Sequence, residues 1–346
     1  MKVCILGPVT TPSYFGGVAV FDEGLARGFV DNGCAAFLAT DQKDAVENAN
    51  SIVPVRKIAG RNFKRILEQE KPDYIIAQLA YAKHLFGVKT NAKKIYFLHA
   101  FFKRSYYGLV KSALAVIYQK FLIRQCDMVF SNSYFTDMIN RDFFDIPSDA
   151  VFHVGVSDEF FSQSMSLMDM PKEKNSIFFA GRFVPAKGVD RLIEAAEILA
   201  RRNTEYHMYI AGDGPEKKRL TQYVAEKGLP VQFVGRLNQA EIAKQYRKAE
   251  VFVSLDISEP YGIVFCEALM SNCRIACPVT GGQIEILNDY PERVAYVNAR
   301  SAESIANGIE KMLNTNALAE LTLEEKERFS YHHIATQMIG YFAKCQ

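Results

Sequence analysis

The sequence predicts an α/β protein with two doubly wound domains, each built on a mainly parallel sheet. Its 346 residues exceed what one hydrophobic core usually holds, which favours two domains. Short apolar runs alternate with helical patterns over the whole length, as in parallel strand–helix units. This series stops once, at residues 158–175, where no period is visible and a linker is expected, and then starts again. We therefore predict a first domain over 1–170 and a second over 171–330, with a last helix at about 331–346 that can pack back on the first.

The individual elements follow from the same periodicities. The first half opens with a buried strand at 3–6, a loop rich in glycine and proline at 7–17, and an amphipathic helix at 18–32. Further strands of this half are predicted at 36–39, 74–77, 95–99, 128–131 and 151–154. In the second half, strands are predicted at 177–180, 207–211, 231–234, 251–255, 274–277 and 294–297, and helices at 188–201, 215–227, 239–248 and 262–271. The last helix is apolar on one side.

Composition excludes several classes of protein. Seven scattered cysteines without a C-x-x-C pair predict reduced thiols and no zinc site. A net charge of +2 argues against a dedicated nucleic-acid binder. The apolar stretch at the N-terminus is too short for a signal peptide, and no run approaches the roughly 18 apolar residues that span a bilayer. We expect a cytoplasmic protein, at most peripheral at the inner face of the membrane.

The strongest chemical signal is Glu-Pro-Tyr-Gly-Ile-Val-Phe-Cys-Glu at 259–267, between a buried strand and a helix. Glu259 is then in the loop at the carboxyl end of the strand, and Glu267 lies about a turn and a half into the helix. The backbone amides at 262–264 have no partner within that helix, so they form a positive mouth for phosphate oxygens. Carboxylates there suit a sugar-like ligand, because each accepts hydroxyl hydrogen bonds. In isolation, two glutamates at this spacing would be surface or helix-entry residues.

A second signal is Gly-Arg-Phe-Val-Pro-Ala-Lys-Gly at 181–188, also between a buried strand and a helix. It places Arg182 and Lys187 on one loop. Both side chains make charge-assisted hydrogen bonds to phosphate, so a diphosphate ligand accounts for two cations so close together. The alternative is a solvated surface loop.

Together, the patterns G-R-x4-K-G and E-P-Y-G-x4-E resemble the retaining glycosyltransferases of family 4, the group 1 glycosyl transferases. This resemblance implies the GT-B fold, in which two Rossmann-like domains face each other across a cleft that holds the active site. It also implies that the first domain binds the acceptor and the second binds the donor. The resemblance covers most of the chain and is strongest over 177–286. It is weaker in the first half, where Gly16, Gly17 and His99 still fit.

The resemblance implies a role for each matching residue. Arg182 and Lys187 would bind the donor diphosphate and stabilise the leaving nucleotide. Glu267 would accept hydrogen bonds from the ribose hydroxyls, and Glu259 would contact the transferred sugar near its anomeric face. His99 would contact the donor sugar, although on its own it reads as a packed histidine at the edge of the core. The remaining implied contacts come largely from the backbone: Tyr261, Gly262, Ile263 and Val264 for the sugar and the distal phosphate, Gly16 and Gly17 for the diphosphate, and Arg236 for the base.

Two departures from the family pattern concern the acceptor side more than the donor side. The family usually has Asn-Gly-Val-Asp where this chain has Val-Gly-Val-Ser at 154–157, and it favours Cys-Gly-x-Pro where Ser-Asn-Cys-Arg stands at 271–274. Neither departure removes a charged residue of the predicted site.

The implied reaction is retaining, metal-independent transfer of a hexose-type sugar from a nucleotide-diphosphate sugar, UDP- or GDP-linked, to a saccharide or lipid-linked saccharide. Cell-envelope, capsule or other polysaccharide biosynthesis is the expected context. No separate cofactor and no metal are expected, and the sequence contains no D-x-D triplet. The alternatives are a nucleotide-sugar epimerase or phosphorylase on the same scaffold, and a catalytically silent glycosyltransferase-like partner subunit. Fold analogy alone does not separate these classes.

The stretch 74–126 is unusual in charge. It contains no Asp or Glu and nine Lys or Arg, with aromatic residues between them. The helix predicted at 105–124 is apolar over a wide arc, and a basic, aromatic helix can lie in the plane of an anionic membrane. Peripheral membrane contact through 83–124 is therefore predicted, and the alternative is a core helix with a solvated basic face.

Overall fold

The computed structural model describes residues 1–11, 13–14, 16–47, 52–60, 62–102 and 104–345. The chain divides into two compact units, one formed by Met1–Ser157 with Glu327–Gln346 and the other by Asp158–Lys326. Both are α/β units with parallel sheets, which confirms the predicted fold class. The predicted boundary at residue 170 falls inside the second unit.

The first unit carries one sheet in the described residues. Its strands are β1 (Lys2–Leu6), β2 (Ala35–Thr40), β3 (Val55–Lys57), β4 (Tyr74–Gln78), β5 (Lys93–Leu98), β6 (Met128–Ser131) and β7 (Ala150–Val151). They pair in parallel in the order β3-β2-β1-β4-β5-β6-β7. The helices are α1 (Gly17–Asp31), α2 (Phe63–Glu70), α3 (Arg104–Ile123) and α4 (Tyr134–Phe144), with a 3-10 helix at Leu79–Leu85. Residues 3–6 of β1 are fully buried, as in a strand covered on both faces.

Helix α3 is not continuous. Gly108 interrupts it with a φ of 73°, a left-handed conformation that glycine adopts without steric cost. None of the described helices is both long and apolar enough to cross a bilayer.

The C-terminal helix, Tyr331–Lys344, packs on α1 and so belongs to the first unit. Two glycines of α1 allow the close approach. A Cβ at Gly24 would lie 2.2 Å from the ring of Tyr331, and one at Gly28 would lie 2.3 Å from the Tyr331 carbonyl oxygen.

The second unit also carries one sheet in the described residues. Its strands are β8 (Ser176–Ala180), β9 (His207–Ala211), β10 (Val231–Gly235), β11 (Val251–Val253), β12 (Arg274–Cys277) and β13 (Val294–Tyr296). The helices are α5 (Asp158–Ser166), α6 (Val189–Arg201), α7 (Lys217–Lys227), α8 (Gln239–Lys248), α9 (Ile263–Met270), α10 (Ile284–Leu287), α11 (Ala302–Leu313) and α12 (Leu323–Glu327), with 3-10 helices at Pro185–Lys187 and Pro291–Arg293.

The strand order β10-β9-β8-β11-β12-β13 creates a topological switch point. From β8 the chain continues to β9 on one side, whereas from β11 it continues to β12 on the other. The loops that leave β8 and β11 therefore diverge from adjacent strand ends, which is where doubly wound sheets bind ligands.

The linker predicted at 158–175 is wrong in its first half. Asp158–Ser166 forms α5, which packs on α8. Phe160 is buried, and its ring meets that of Tyr246 edge-on at 5.8 Å. The polar composition of the segment hid two inward-facing residues one helical turn apart, Phe160 and Ser164. In addition, the last strand predicted for the first half shortens to two residues, and β3, α2 and α4 were not predicted.

Candidate active site

Three charged side chains meet where β8 and β11 end. The ammonium nitrogen of Lys187, which follows β8, lies 2.8 Å from a carboxylate oxygen of Glu259 and 3.1 Å from one of Asp256. Both acids follow β11. The side chains are 30% exposed for Lys187, 18% for Glu259 and 4% for Asp256, so the ion cluster is reachable from solvent while Asp256 is enclosed. Two of the residues predicted from separate motifs, Lys187 and Glu259, are thus direct neighbours.

The loop after β8 is held by the fully buried Phe183 and by the glycine loop that follows β9. A Cβ at Gly212 would lie 1.8 Å from the carbonyl oxygen of Gly181. Likewise, a Cβ at Gly214 would lie 2.5 Å from the carbonyl oxygen of Phe183. Only glycine therefore lets these two loops touch. Arg182 is left exposed, and within the described ranges it has no ion-pair partner.

The loop after β11 is shaped by hydrogen bonds on both sides. Oδ1 of Asp256 accepts from the backbone N–H of Ser258 at 2.9 Å and from its hydroxyl at 3.2 Å. The N–H of Gly282, in the turn before α10, donates to the Glu259 carbonyl at 2.9 Å. A Cβ at Gly282 would lie 2.0 Å from the Pro260 carbonyl oxygen, so this supporting turn admits no side chain there.

Gly262 joins the acidic loop to α9. Its φ of 93° favours glycine, and a Cβ would lie 2.6 Å from the Phe265 ring and 3.1 Å from the Glu259 side chain. The helix begins at Ile263, so the N–H groups of Ile263 and Val264 have no acceptor within it. They add the partial positive charge of a helix N-terminus beside the Glu259 loop.

Lys187 keeps its charge despite being partly enclosed. Burial alone would lower the pKa of Lys187, but the carboxylates of Glu259 and Asp256 outweigh the burial and raise the pKa above its usual value. A permanently charged ammonium at this strand end is suited to bind phosphate oxygens.

Glu267 lies in the second turn of α9. Burial raises the pKa of its carboxyl to about 7, and interaction with the hydroxyl of Tyr246 lowers the pKa in part. Tyr246 is fully buried, with its ring edge-on to that of Phe178 at 5.0 Å. The protonation state of Glu267 therefore changes close to physiological pH, and its ionised form accepts hydrogen bonds from hydroxyl groups.

Arg236 follows β10 at the same edge of the sheet. Its side chain is 83% exposed, and its Nε lies 3.8 Å from the carboxylate of Asp213 in the loop after β9. An exposed pair at this distance holds the guanidinium only weakly.

Gly16, Gly17 and His99 belong to the first unit. The imidazole of His99, directly after β5, is hydrogen-bonded to the side chain of Gln78 and packs edge-on against the Phe21 ring at 4.7 Å. Burial lowers the pKa of His99 to about 3, so the ring is neutral at physiological pH. Gly16 has extended backbone before α1, and Gly17 is the first residue of the helix. A Cβ at Gly17 would meet no described atom within 4 Å, so packing within the unit does not require glycine there.

Several residues in contact with predicted site residues were missed from the sequence, among them Asp256 and Gln78. Each stands at or just after the carboxyl end of a buried strand, β11 and β4 respectively. That position is where parallel sheets place ligand-binding side chains, and it was the available signal.

Known proteins resemble this chain in sequence and in fold. The family model "Glycosyl transferases group 1" matches residues 168–332. The chain is similar to the uncharacterized glycosyltransferase MJ1607 of Methanocaldococcus jannaschii, with 28% identity over 190 residues that cover 53% of this chain and 47% of that protein. The chain thus spans about half the length of the curated relatives that it matches.

Two solved structures show the fold. Sucrose-phosphate synthase from Thermosynechococcus elongatus has a TM-score of 0.76 at 17% identity, covering 99% of this chain and 98% of that one. HepE from Anabaena, solved with UDP and glucose, has a TM-score of 0.69 at 17% identity, covering 99% of each chain. The chain has the GT-B fold of two Rossmann-like domains, and the resemblance to the glycosyl transferases group 1 family is confirmed over residues 168–332.

Proposed function

We propose that this protein is a glycosyltransferase that binds a nucleotide-diphosphate sugar at the switch point between β8 and β11 of the second unit. The observation that carries the proposal is the cluster of Lys187, Glu259 and Asp256, with Arg182 on the same loop as Lys187. A permanently charged ammonium, an exposed guanidinium and an adjoining helix N-terminus are complementary to a diphosphate.

The resemblance also implies partners for the remaining parts of the donor. Ionised Glu267 accepts hydrogen bonds from the ribose hydroxyls, and Glu259 contacts the transferred sugar, together with the backbone from Tyr261 to Val264. Arg236 lies at the strand end assigned to the base. Gly16, Gly17 and His99 keep the roles implied by the resemblance, with the neutral imidazole of His99 suited to a sugar hydroxyl. A UDP- or GDP-linked hexose is the proposed donor, and the UDP and glucose bound to HepE support this class.

The proposed reaction retains the anomeric configuration and needs no metal. The bond from the anomeric carbon to the terminal phosphate oxygen breaks, and a bond to the acceptor hydroxyl oxygen forms on the same face of the sugar. The hydroxyl proton passes to the leaving phosphate. Arg182 and Lys187 stabilise the negative charge that develops on that phosphate, and removal of one such group typically slows a reaction by about a hundredfold or more.

Calorimetric titration with UDP, GDP and ADP in the presence of a chelator tests the donor site. We expect one nucleotide to bind, and Glu267→Ala to weaken that binding. Glu194→Ala is the matched control, because Glu194 lies on α6 and forms an ion pair with its helical neighbour Arg191 at 2.7 Å. A folded wild-type protein that binds none of the three nucleotides would contradict the proposal and favour the silent-subunit alternative.

We further propose that α3 lies against an anionic membrane surface that presents a lipid-linked saccharide acceptor. One face of this helix is apolar and 46–70% exposed, and it comprises Val110, Leu114, Ile117, Tyr118 and Phe121. Their spacing of three and four residues places them on one side, whereas Ser112 and Gln119, each 7% exposed, lie on the other. A contiguous exposed apolar face is typical of an interaction site. The absence of Asp and Glu from 74–126 in the sequence, beside nine basic residues, fits an anionic surface.

Flotation with phosphatidylcholine vesicles, with and without phosphatidylglycerol, tests this surface. We expect binding that requires the anionic lipid and is lost in Ile117→Glu. The control is Leu323→Glu, because Leu323 is 53% exposed and lies on α12 of the second unit. Equal flotation of wild type and Ile117→Glu would contradict the assignment of α3.

A further inference from the structure

The two carboxylate oxygens of Asp256 face different partners. Oδ2 lies 3.1 Å from the ammonium of Lys187. Oδ1 accepts from the N–H and the hydroxyl of Ser258, at 2.9 Å and 3.2 Å. With only 4% of its side chain exposed, Asp256 is tied to the loop after β11 and has no room to turn toward solvent. Its carboxylate is therefore a fixed negative charge beside Lys187.

Lys187 is consequently shared between two acids that differ in mobility. Glu259 is 18% exposed, and within the described part of the chain its second carboxylate oxygen accepts no hydrogen bond. An arriving diphosphate competes with both carboxylates for the same ammonium. Glu259 can turn away toward a sugar, whereas Asp256 remains, so part of the positive charge of Lys187 stays neutralised when the ligand is bound.

We propose that Asp256 is a positioning residue that holds Lys187 in place and limits the affinity of this site for a nucleoside diphosphate. The proposal rests on the donor site described above. A fixed carboxylate next to the phosphate-binding lysine opposes the negative charge of the product nucleotide, and it thereby speeds product release at the expense of affinity. A purely structural residue would hold Lys187 in place but would not lower the affinity for nucleotide.

Asp256→Asn removes the negative charge, while its amide oxygen can still accept from Ser258 and keep the loop anchored. The amide nitrogen then takes the place of the oxygen beside Lys187 and no longer attracts the ammonium. We expect Asp256→Asn to bind UDP or GDP about tenfold more tightly than wild type, since one unit charge within a few ångströms of the phosphates is removed. Donor KM and kcat should both fall, because a tightly held product leaves slowly. Asp256→Ser, which is also uncharged, should likewise bind more tightly, and it provides a second variant if the first folds poorly.

Glu194→Gln removes one negative charge from the same unit without touching Lys187, and should leave nucleotide affinity unchanged. Calorimetry with UDP and GDP on wild type, the two Asp256 variants, Glu194→Gln and Lys187→Ala distinguishes the outcomes. One outcome is that Lys187→Ala weakens nucleotide binding but neither Asp256 variant binds nucleotide more tightly than wild type. That result would overturn the role of Asp256 and leave the donor site standing. Wild type that binds neither nucleotide, or Lys187→Ala that binds as tightly as wild type, would overturn the donor site and this inference with it.

Discussion

Replacing Lys187 by methionine should destabilise the second unit, because it leaves two carboxylates close together without their cation. Ammonium-to-carboxylate distances of 2.8 Å and 3.1 Å make this a direct ion cluster. Removing one partner of a fully buried pair costs about 3–5 kcal/mol, whereas exposed pairs contribute about 0–1 kcal/mol. Lys187 is 30% exposed and Glu259 is 18% exposed, so water screens part of the effect, but Asp256 at 4% exposure is not screened. We therefore expect a loss of about 2 kcal/mol in the free energy of unfolding.

The double variant Lys187→Met/Asp256→Asn should recover more than half of that loss, because it removes the uncompensated charge as well. Urea unfolding followed by far-ultraviolet circular dichroism measures both values. Lys227→Met is the matched control, since Lys227 pairs with Glu197 at 3.0 Å but is 45% exposed, and it should lower the stability far less than Lys187→Met. If Lys187→Met is as stable as wild type, or if the double variant is less stable than the single one, repulsion between the two carboxylates does not destabilise the second unit.

Further predictions concern three single sites. Because the folded-state pKa of Glu267 is raised to about 7, ionisation of its carboxyl opposes folding. As pH rises from about 5 to 8, wild type should therefore lose up to about 3 kcal/mol in its free energy of unfolding relative to Glu267→Gln. A stability difference between the two proteins that is the same at both pH values would contradict this. Nucleotide affinity should rise over the same interval in wild type and stay flat in the Gln variant, as calorimetry can measure. Gly262→Ala should lower the free energy of unfolding by about 1–3 kcal/mol, because φ at this position is left-handed and a Cβ there is crowded. In the control Gly340→Ala, the new Cβ meets no described atom within 4 Å, so the change should be neutral or stabilising. Thermal unfolding measures both. Gly28→Ala should loosen the C-terminal helix, because its Cβ would lie 2.3 Å from the Tyr331 carbonyl oxygen; unchanged hydrogen exchange in that helix would contradict this.

The sequence predicts the fold well where apolar runs end at glycine, proline or other turn-forming residues. The strands at 207–211 and 274–277 and the helix at 239–248 coincide with β9, β12 and α8. The failures have physical causes. β3 is a three-residue edge strand, Val-Arg-Lys, that is only partly buried and so has no apolar run. α5 buries few residues under a polar composition, which hides its period.

The motifs identified Lys187 and Glu259 separately, but their contact depends on β8 and β11 being neighbours in the sheet. Sequence periodicity does not specify strand order, so it could not predict the salt bridge between Lys187 and Glu259. Asp256 was missed because a lone aspartate after a strand has no spacing signature of its own. The raised pKa of Glu267 depends on burial in a position that becomes defined only when α9 packs beside α8 and its Tyr246.

Lys187, at the β8 end, is proposed to stabilise a departing nucleoside diphosphate. Incubation of UDP- and GDP-linked hexoses with the protein in chelator, followed by measurement of released UDP or GDP, tests this role. An epimerase would convert the donor without releasing nucleotide. We expect release by wild type and by Glu194→Gln, and release at least about a hundredfold slower by Lys187→Ala. Equal release by wild type and Lys187→Ala would show that Lys187 does not stabilise the leaving nucleotide.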